Sequence, residues 1–152
     1  MKKTTLWIAV AVLILLTGCG QKQKTESTAE KSNENHFVGE WIVEPEYAIS
    51  KVGDENTLFV DGRGEKKAIL GTVKGAIATV WQDWSITEGK QGDEKWGCIQ
   101  EPEQLEETLG NLGITKDKEI ILIGETLDGW GDDARLLWEL RAAGYEDGKM
   151  VD

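Results

Sequence analysis

The residues with the clearest potential for chemistry lie between Ile120 and Leu140. A β-branched apolar run, residues 120–123, predicts a buried strand, and a helical pattern begins at Asp132. Between them lies a loop bracketed by glycines: Gly124, Glu125, Thr126, Leu127, Asp128, Gly129 and Trp130. A strand, a tight loop and a helix N-terminus form a frequent ligand site in open α/β sheets. We therefore expect any functional site to use loop 124–130.

The loop offers little for covalent chemistry. Its only hydroxyl belongs to Thr126, which is a poor nucleophile without a base. Acids crowd the loop and the helix start, with Arg135 as the only nearby cation: Glu125, Asp128, Asp132 and Asp133. Like charges a few ångströms apart repel by about 1 kcal/mol even in water, so we expect the loop to discourage anions. We interpret Asp132 and Asp133 as acids facing the helix dipole. A divalent-cation site built from the four acids is the alternative, although their spacing matches no calcium loop.

Three further groups are candidates. Cys98 has apolar or acidic neighbours, which favours an unreactive structural thiol over a sulfur carrier. Asp61 and Arg63 end a predicted strand near the loop and are expected to form a local ion pair rather than a catalytic one. Four tryptophans fall in predicted loops: Trp81, Trp84, Trp96 and Trp130. Exposed aromatic rings at such positions either line a ligand groove or dock another domain, and we favour docking.

The elements that position these residues alternate between strands and helices. Strands are predicted at 41–43, 57–60, 77–80, 120–123 and 149–152, and helices at 45–52, 65–70, 102–112 and 132–143. This order predicts an α/β fold, an open and mostly parallel sheet with helices on both faces. Residues 81–97 are predicted to be an irregular surface excursion. No helix follows the last strand, so we expect a fold truncated there and one thinly covered sheet face.

The N-terminus predicts export. A positive start at Lys2 and Lys3 precedes eleven apolar residues, 6–16, which is too short for the ~20 residues of a transmembrane helix. The sequence up to Cys19 resembles a bacterial lipobox, which implies cleavage after residue 18 and a lipid such as palmitate on Cys19. A plain secretory signal or an uncleaved anchor are the alternatives. Polar residues 19–35 predict a flexible tether, and the domain then spans 36–152. The expected location is the extracytoplasmic face of the cell membrane.

Charge and cysteine content exclude several functions. The net charge of −11 becomes −13 without residues 1–18, which opposes binding to nucleic acid or anionic lipid heads. Any membrane link is then the lipid on Cys19. With Cys19 lipidated, Cys98 remains without a disulfide partner, and together with the lone His36 it cannot form a zinc site. We expect no cofactor and no metal.

Four segments in order resemble the rhodanese (thiosulfate sulfurtransferase) family. The strand ending in Asp61-Gly62-Arg63 matches that family's Asp-x-Arg. Residues 71–77 are a version of its Gly-His-Ile-Pro-Gly-Ala segment, in which Thr72 replaces the histidine and Lys74 the proline. Residues 112–123 look like the helix end and strand before the active loop, and 136–152 like the helix and strand after it.

The resemblance implies a fold and a missing nucleophile. In active members a cysteine follows the strand and carries sulfane sulfur; Gly124 stands there in this chain. The excursion and the end of the loop look most like the N-terminal, cysteine-less half of tandem rhodaneses. We therefore expect a domain that is non-catalytic alone and docks a protein such as a catalytic rhodanese domain. The alternatives are an active sulfurtransferase that moves sulfur from thiosulfate to a thiol or cyanide, with Cys98 as candidate, and a truncated remnant of a tandem enzyme.

Overall fold

The computed structural model describes residues 38–125 and 128–152. The predicted signal, Cys19, the tether and His36 lie outside the described residues, as do Thr126 and Leu127. No helix in the described part is both long and apolar enough to span a bilayer.

The predicted alternation of strands and helices is confirmed. The strands are β1 (Ile42–Val43), β2 (Thr57–Asp61), β3 (Ile77–Ala78), β4 (Ser85–Ile86), β5 (Cys98–Ile99), β6 (Glu119–Ile123) and β7 (Gly148–Val151). The α-helices are α1 (Pro45–Ser50), α2 (Glu65–Ala68), α3 (Pro102–Asn111) and α4 (Asp132–Ala142), and a 3₁₀ helix spans Trp81–Trp84. Proline at the first position of α1 and of α3 fits each helix start, because its missing N–H would have no partner there.

Five strands form a fully parallel sheet in the order β1-β7-β6-β2-β3. β2 and β6 are neighbours in register, with Asp61 opposite Ile123. The carboxyl ends of these two strands therefore lie side by side, which brings Asp61 and Arg63 close to the loop that follows β6. The fold class predicted from the sequence is confirmed.

The alternating side chains of β6 divide the core between the two faces of the sheet. Ile120 and Leu122 pack on one face, within a large cluster that includes Leu105 and Leu109 of α3. The same cluster contains the buried leucines of α4 and the ring of Trp84. On the other face Ile121 packs with Phe59 and Ala48 in a much smaller cluster under α1. The expected thin cover of one face is therefore present in the described structure.

The excursion is more ordered than the sequence suggested. β4 and β5 pair antiparallel as a small ribbon, and the 3₁₀ helix leads into it. The side chain of Trp84 is fully buried, and its indole N–H donates a hydrogen bond of 3.2 Å to Oγ1 of Thr79. Burying a tryptophan with its polar edge satisfied anchors a segment that has no periodic pattern of its own.

Candidate functional site

The described residues on either side of 126–127 contact each other at the base of the loop between β6 and α4. The N–H of Gly129 donates a 2.8 Å hydrogen bond to the carbonyl oxygen of Glu125. A Cβ atom on residue 129 would lie 2.2 Å from that same oxygen, so only glycine fits this turn. Gly131 then enters α4 with φ of 80°, a conformation that glycine adopts without strain.

Gly124, where the resemblance implied a cysteine, has no room for a side chain. A Cβ atom built on Gly124 would lie 2.3 Å from both Cγ and Oδ2 of Asp133. Asp133 is 8% exposed, and its Oδ1 accepts a 2.9 Å hydrogen bond from the N–H of Ala134. It lies in the first turn of α4, where the helix dipole favours an acid, as expected. A carboxylate therefore occupies the space that a nucleophile on residue 124 would need.

Asp61 and Arg63 form the expected ion pair. Nε and one terminal nitrogen of Arg63 donate to the two carboxylate oxygens of Asp61 at 2.9 and 2.7 Å, and the terminal nitrogen also donates to the carbonyl oxygen of Gly71 at 2.8 Å. Burial alone would raise the pKa of Asp61. The hydrogen bonds from Arg63 and from Thr72 outweigh it and hold the pKa below the usual range. The guanidinium is thus occupied and does not face the loop as a free cation.

The electrostatics of the loop differ from the sequence-based prediction. Arg135 was expected to be the only nearby cation, and this is wrong, because the ammonium group of Lys67 contacts the carboxylate of Glu125. Arg135 instead donates to the carbonyl oxygen of Gly97 at 2.7 Å and to Glu139 at 2.9 Å. It ties α4 to the excursion, not to the loop.

Glu139 is a buried acid that the sequence analysis did not single out. Its side chain is fully buried, and Oε1 accepts hydrogen bonds from Oγ of Ser85 at 2.6 Å and from Arg135. Oε2 has no partner in the described structure. Burial raises the pKa of Glu139, although Ser85 and Arg135 both act to lower it. The signal in the sequence was its position four residues after Arg135 among the apolar residues of α4.

The acids around the loop do not form a metal site. Within residues 38–125 and 128–152, no group of three or more His, Cys, Asp or Glu side chains converges closely enough to hold a metal ion. The four acids that suggested the cation alternative belong to those ranges, so their geometry does not support it.

The loop tryptophans differ in exposure. The prediction that Trp84 docks another domain is wrong, because its side chain is fully buried. Trp81 and Trp96 are partly buried and meet edge to face at 5.7 Å between ring centroids, and the guanidinium of Arg135 lies 5.4 Å from the Trp81 ring. Trp130 is 97% exposed at the end of the loop, which leaves it available for contact with another molecule.

Cys98 lies apart in β5, far in sequence from the loop. It is an exposed free thiol, and its Sγ contacts the carbonyl oxygen of Glu94 at 3.8 Å. No basic side chain in the described structure makes a hydrogen bond or ion pair with this sulfur. The described contacts of this sulfur therefore include no cation of the kind that activates a thiolate.

The five-stranded parallel sheet, whose central strand β6 is followed by the candidate loop, is the architecture of the rhodanese fold. The chain is similar to SseA from Escherichia coli, whose structure was described as "The 'Rhodanese' fold and catalytic mechanism of 3-mercaptopyruvate sulfotransferases"; the TM-score is 0.61 and the identity 18%. The match covers 76% of this chain and 41% of that one, so this chain spans about two-fifths of its length. No protein-family model and no curated sequence matches the chain.

Proposed function

We propose that this chain is a membrane-anchored rhodanese-like domain that does not transfer sulfur by itself and serves as a docking module. The observation that carries the proposal is the pair formed by Gly124 and Asp133. Where a sulfur carrier requires a thiol, this chain has glycine, and a carboxylate fills the adjacent space.

The surroundings of the loop support the same conclusion. A persulfide-forming cysteine needs a lowered pKa, which neighbouring cations and backbone N–H groups provide. Here Arg63 is paired with Asp61, and Lys67 with Glu125. The two cations that the structure brings to this edge of the sheet are therefore paired with carboxylates and are not free to stabilise a thiolate or to attract thiosulfate.

Anchoring is the second part of the proposal. The lipobox-like sequence before Cys19 supports lipidation of that residue and attachment to the extracytoplasmic face of the cell membrane. Replacing Cys19 with alanine should abolish incorporation of labelled palmitate, because the thiol that carries the lipid is gone. A Cys19→Ala protein that stays lipidated and sediments with membranes would contradict this part.

The absence of catalysis is tested by cyanide-dependent formation of thiocyanate from thiosulfate. The full chain in lipid nanodiscs should give no activity above a protein-free blank. A sulfurtransferase that uses Cys98 is the second candidate function, favoured only by the exposure of that thiol. Activity that is present in the wild type and lost in Cys98→Ala would establish it and overturn the proposal.

Docking is tested with a photo-cross-linking amino acid at position 130, the most exposed large hydrophobic residue in the described structure. The matched control carries the same amino acid at position 138, where the native Trp138 is 49% exposed on α4. We expect a discrete adduct from position 130 in native membranes and none from position 138. Equal labelling from both positions would contradict a specific contact at the end of the loop.

A further inference from the structure

A buried ion pair fastens residues 85–99, the ribbon segment, to α4. Oε1 of Glu139 accepts hydrogen bonds from Oγ of Ser85 at 2.6 Å and from Nε of Arg135 at 2.9 Å. A terminal nitrogen of Arg135 also donates to Oγ of Ser85 at 3.2 Å and to the carbonyl oxygen of Gly97 at 2.7 Å. The bonds to Ser85 and Gly97 hold the ribbon segment near both of its ends.

The ribbon segment has few other attachments to the rest of the domain. Ser85 is its only buried residue, and β4 and β5 contain two residues each. Ile99 packs partly against the core, and Trp96 meets the ring of Trp81 edge to face. Segments with few buried contacts open locally while the rest of a domain stays folded. The bonds to α4 are therefore expected to decide how often the ribbon segment opens, and the fully buried Trp84 before it sets where an opening stops.

The ionised form of Glu139 is poorly compensated while the ribbon segment is closed. Its side chain is fully buried, and Oε2 has no hydrogen-bond partner in the described structure. A buried carboxylate that has lost its water needs partners for both oxygens. Burial raises the pKa of Glu139, and the Ser85 hydroxyl and Arg135 only partly counter this effect.

Arg135 is the charged neighbour of Glu139. Within the described residues, no charged side chain of the ribbon segment or of the 3₁₀ helix makes a hydrogen bond or ion pair with the Glu139 carboxylate. Asp83 of the 3₁₀ helix accepts a hydrogen bond from Thr79 instead. Arg135 and Glu139 are both on α4, four residues apart, so their ion pair does not need the ribbon segment.

We propose that Glu139 is a pH-controlled latch: its protonated side chain holds the ribbon segment against α4, and loss of the proton favours opening of the segment. Opening admits water to the carboxylate and its orphaned oxygen, while the ion pair with Arg135 is kept in hydrated form. The latch involves neither loop 124–130 nor Trp130, so it goes beyond the proposed docking function and does not depend on it.

The closed form of the latch holds the Glu139 proton more tightly than the open form, in which the pKa returns toward its ordinary value of 4.5. As pH rises from 4.5 through the raised pKa, the open form therefore gains on the closed form by up to about tenfold per pH unit for one proton released. Above the raised pKa the opening constant should be level.

Amide hydrogen exchange of the full chain in phosphatidylcholine nanodiscs tests the latch. Exchange rates of peptides from the ribbon segment and from β6 are measured from pH 4.5 upward and divided by the intrinsic rates, which gives an opening constant for each peptide. A series at low urea concentrations separates local opening from global unfolding, because the dependence on urea grows with the surface exposed.

The latch variant is Glu139→Gln, which keeps the shape and one oxygen acceptor of the side chain but cannot ionise. The matched control is Glu107→Gln, the same substitution at an exposed residue of α3. A third variant, Ser85→Ala, removes one of the two groups that lower the pKa of Glu139.

We expect the ribbon segment to have larger opening constants than β6 and a weaker dependence on urea. In the wild type and in Glu107→Gln these constants should rise with pH by up to about tenfold per unit, and in Glu139→Gln they should stay constant. Ser85→Ala should keep the rise and extend it to higher pH, because the closed form then holds the proton still more tightly.

Three results would overturn the inference: equal opening constants and equal urea dependence for the ribbon segment and β6, a wild-type ribbon segment whose opening does not change with pH, or the same rise in Glu139→Gln as in the wild type. If Glu139→Gln does not fold, Ser85→Ala decides, and a rise that ends at the same pH as in the wild type would contradict the latch. None of these results changes the thiocyanate assay or the cross-linking from position 130.

Discussion

Replacing Gly124 with alanine is the most direct test of the closed site. The new Cβ atom would lie 2.3 Å from Cγ and Oδ2 of Asp133 and 2.7 Å from its Cβ, all well inside van der Waals contact. Gly124 does not have a positive φ, so alanine adds no backbone strain and the effect is one of packing. Overpacking of this kind typically costs about 1–3 kcal/mol. At about 4 °C per kcal/mol for a domain of this size, Tm should fall by roughly 4–12 °C.

The control is the same substitution at Gly110. This glycine lies in α3 without a positive φ, and a Cβ atom there meets nothing within 4 Å. Gly110→Ala should therefore stabilise the chain by about 0.4–1 kcal/mol through the unfolded state. Thermal unfolding followed by circular dichroism measures both variants.

A double-mutant cycle assigns the cost to one contact. Asp133→Gly removes the carboxylate and also the Cβ atom that an alanine would leave at 2.7 Å. In that background Gly124→Ala should cost at least about 1 kcal/mol less than in the wild type, because the two side chains no longer compete for the same space. An unchanged Tm for Gly124→Ala, or the same cost in both backgrounds, would refute the reasoning.

Three further outcomes follow from the described structure. Burial raises the pKa of Glu139 above its ordinary value of 4.5, so the folded state holds this proton more tightly than the unfolded state. The free energy of unfolding of the wild type should therefore fall as pH rises from about 4.5 through the raised pKa, and urea titrations of Glu139→Gln should lack this component. Trp84→Ala should cost about 3–5 kcal/mol and Trp84→Phe markedly less, since phenylalanine loses the hydrogen bond to Thr79 but keeps much of the packing; equal losses in denaturant titrations would contradict this. Cys98 should react with a maleimide about as fast in the native chain as in urea, and strong native protection would show that its environment is closed.

The parallel sheet and the placement of Asp61 and Arg63 at the edge where β6 ends could be predicted from the sequence. The apolar run at 120–123, the glycines after it and the leucine spacing of α3 and α4 are local patterns, and local patterns determine which element forms. Asp61 and Arg63 were placed correctly for a related reason: parallel strands end at one edge of a sheet, so residues that follow two such strands lie near each other.

Contacts between distant segments could not be read from the chain. Trp84 looks like an exposed loop tryptophan until Thr79 and the core that surrounds it are in place. Arg135 follows the loop closely in sequence, yet its direction on the helix carries its guanidinium to Gly97 and Glu139. Lys67 reaches Glu125 from 58 positions away.

The sequence by itself determined that no thiol follows the central strand, because the identity of residue 124 needs no coordinates. Only the tertiary structure decided that a side chain there has no space, since Asp133 comes from the next element and its approach depends on how α4 packs against the sheet. An apolar groove between α1 and the sheet, lined among others by Ala48, Phe59 and Ile123, has the same origin. Its residues are ordinary core residues in the sequence, and among the described residues the face they share is covered only by the short helix α1 and the segment that contains Val73 and Ala76.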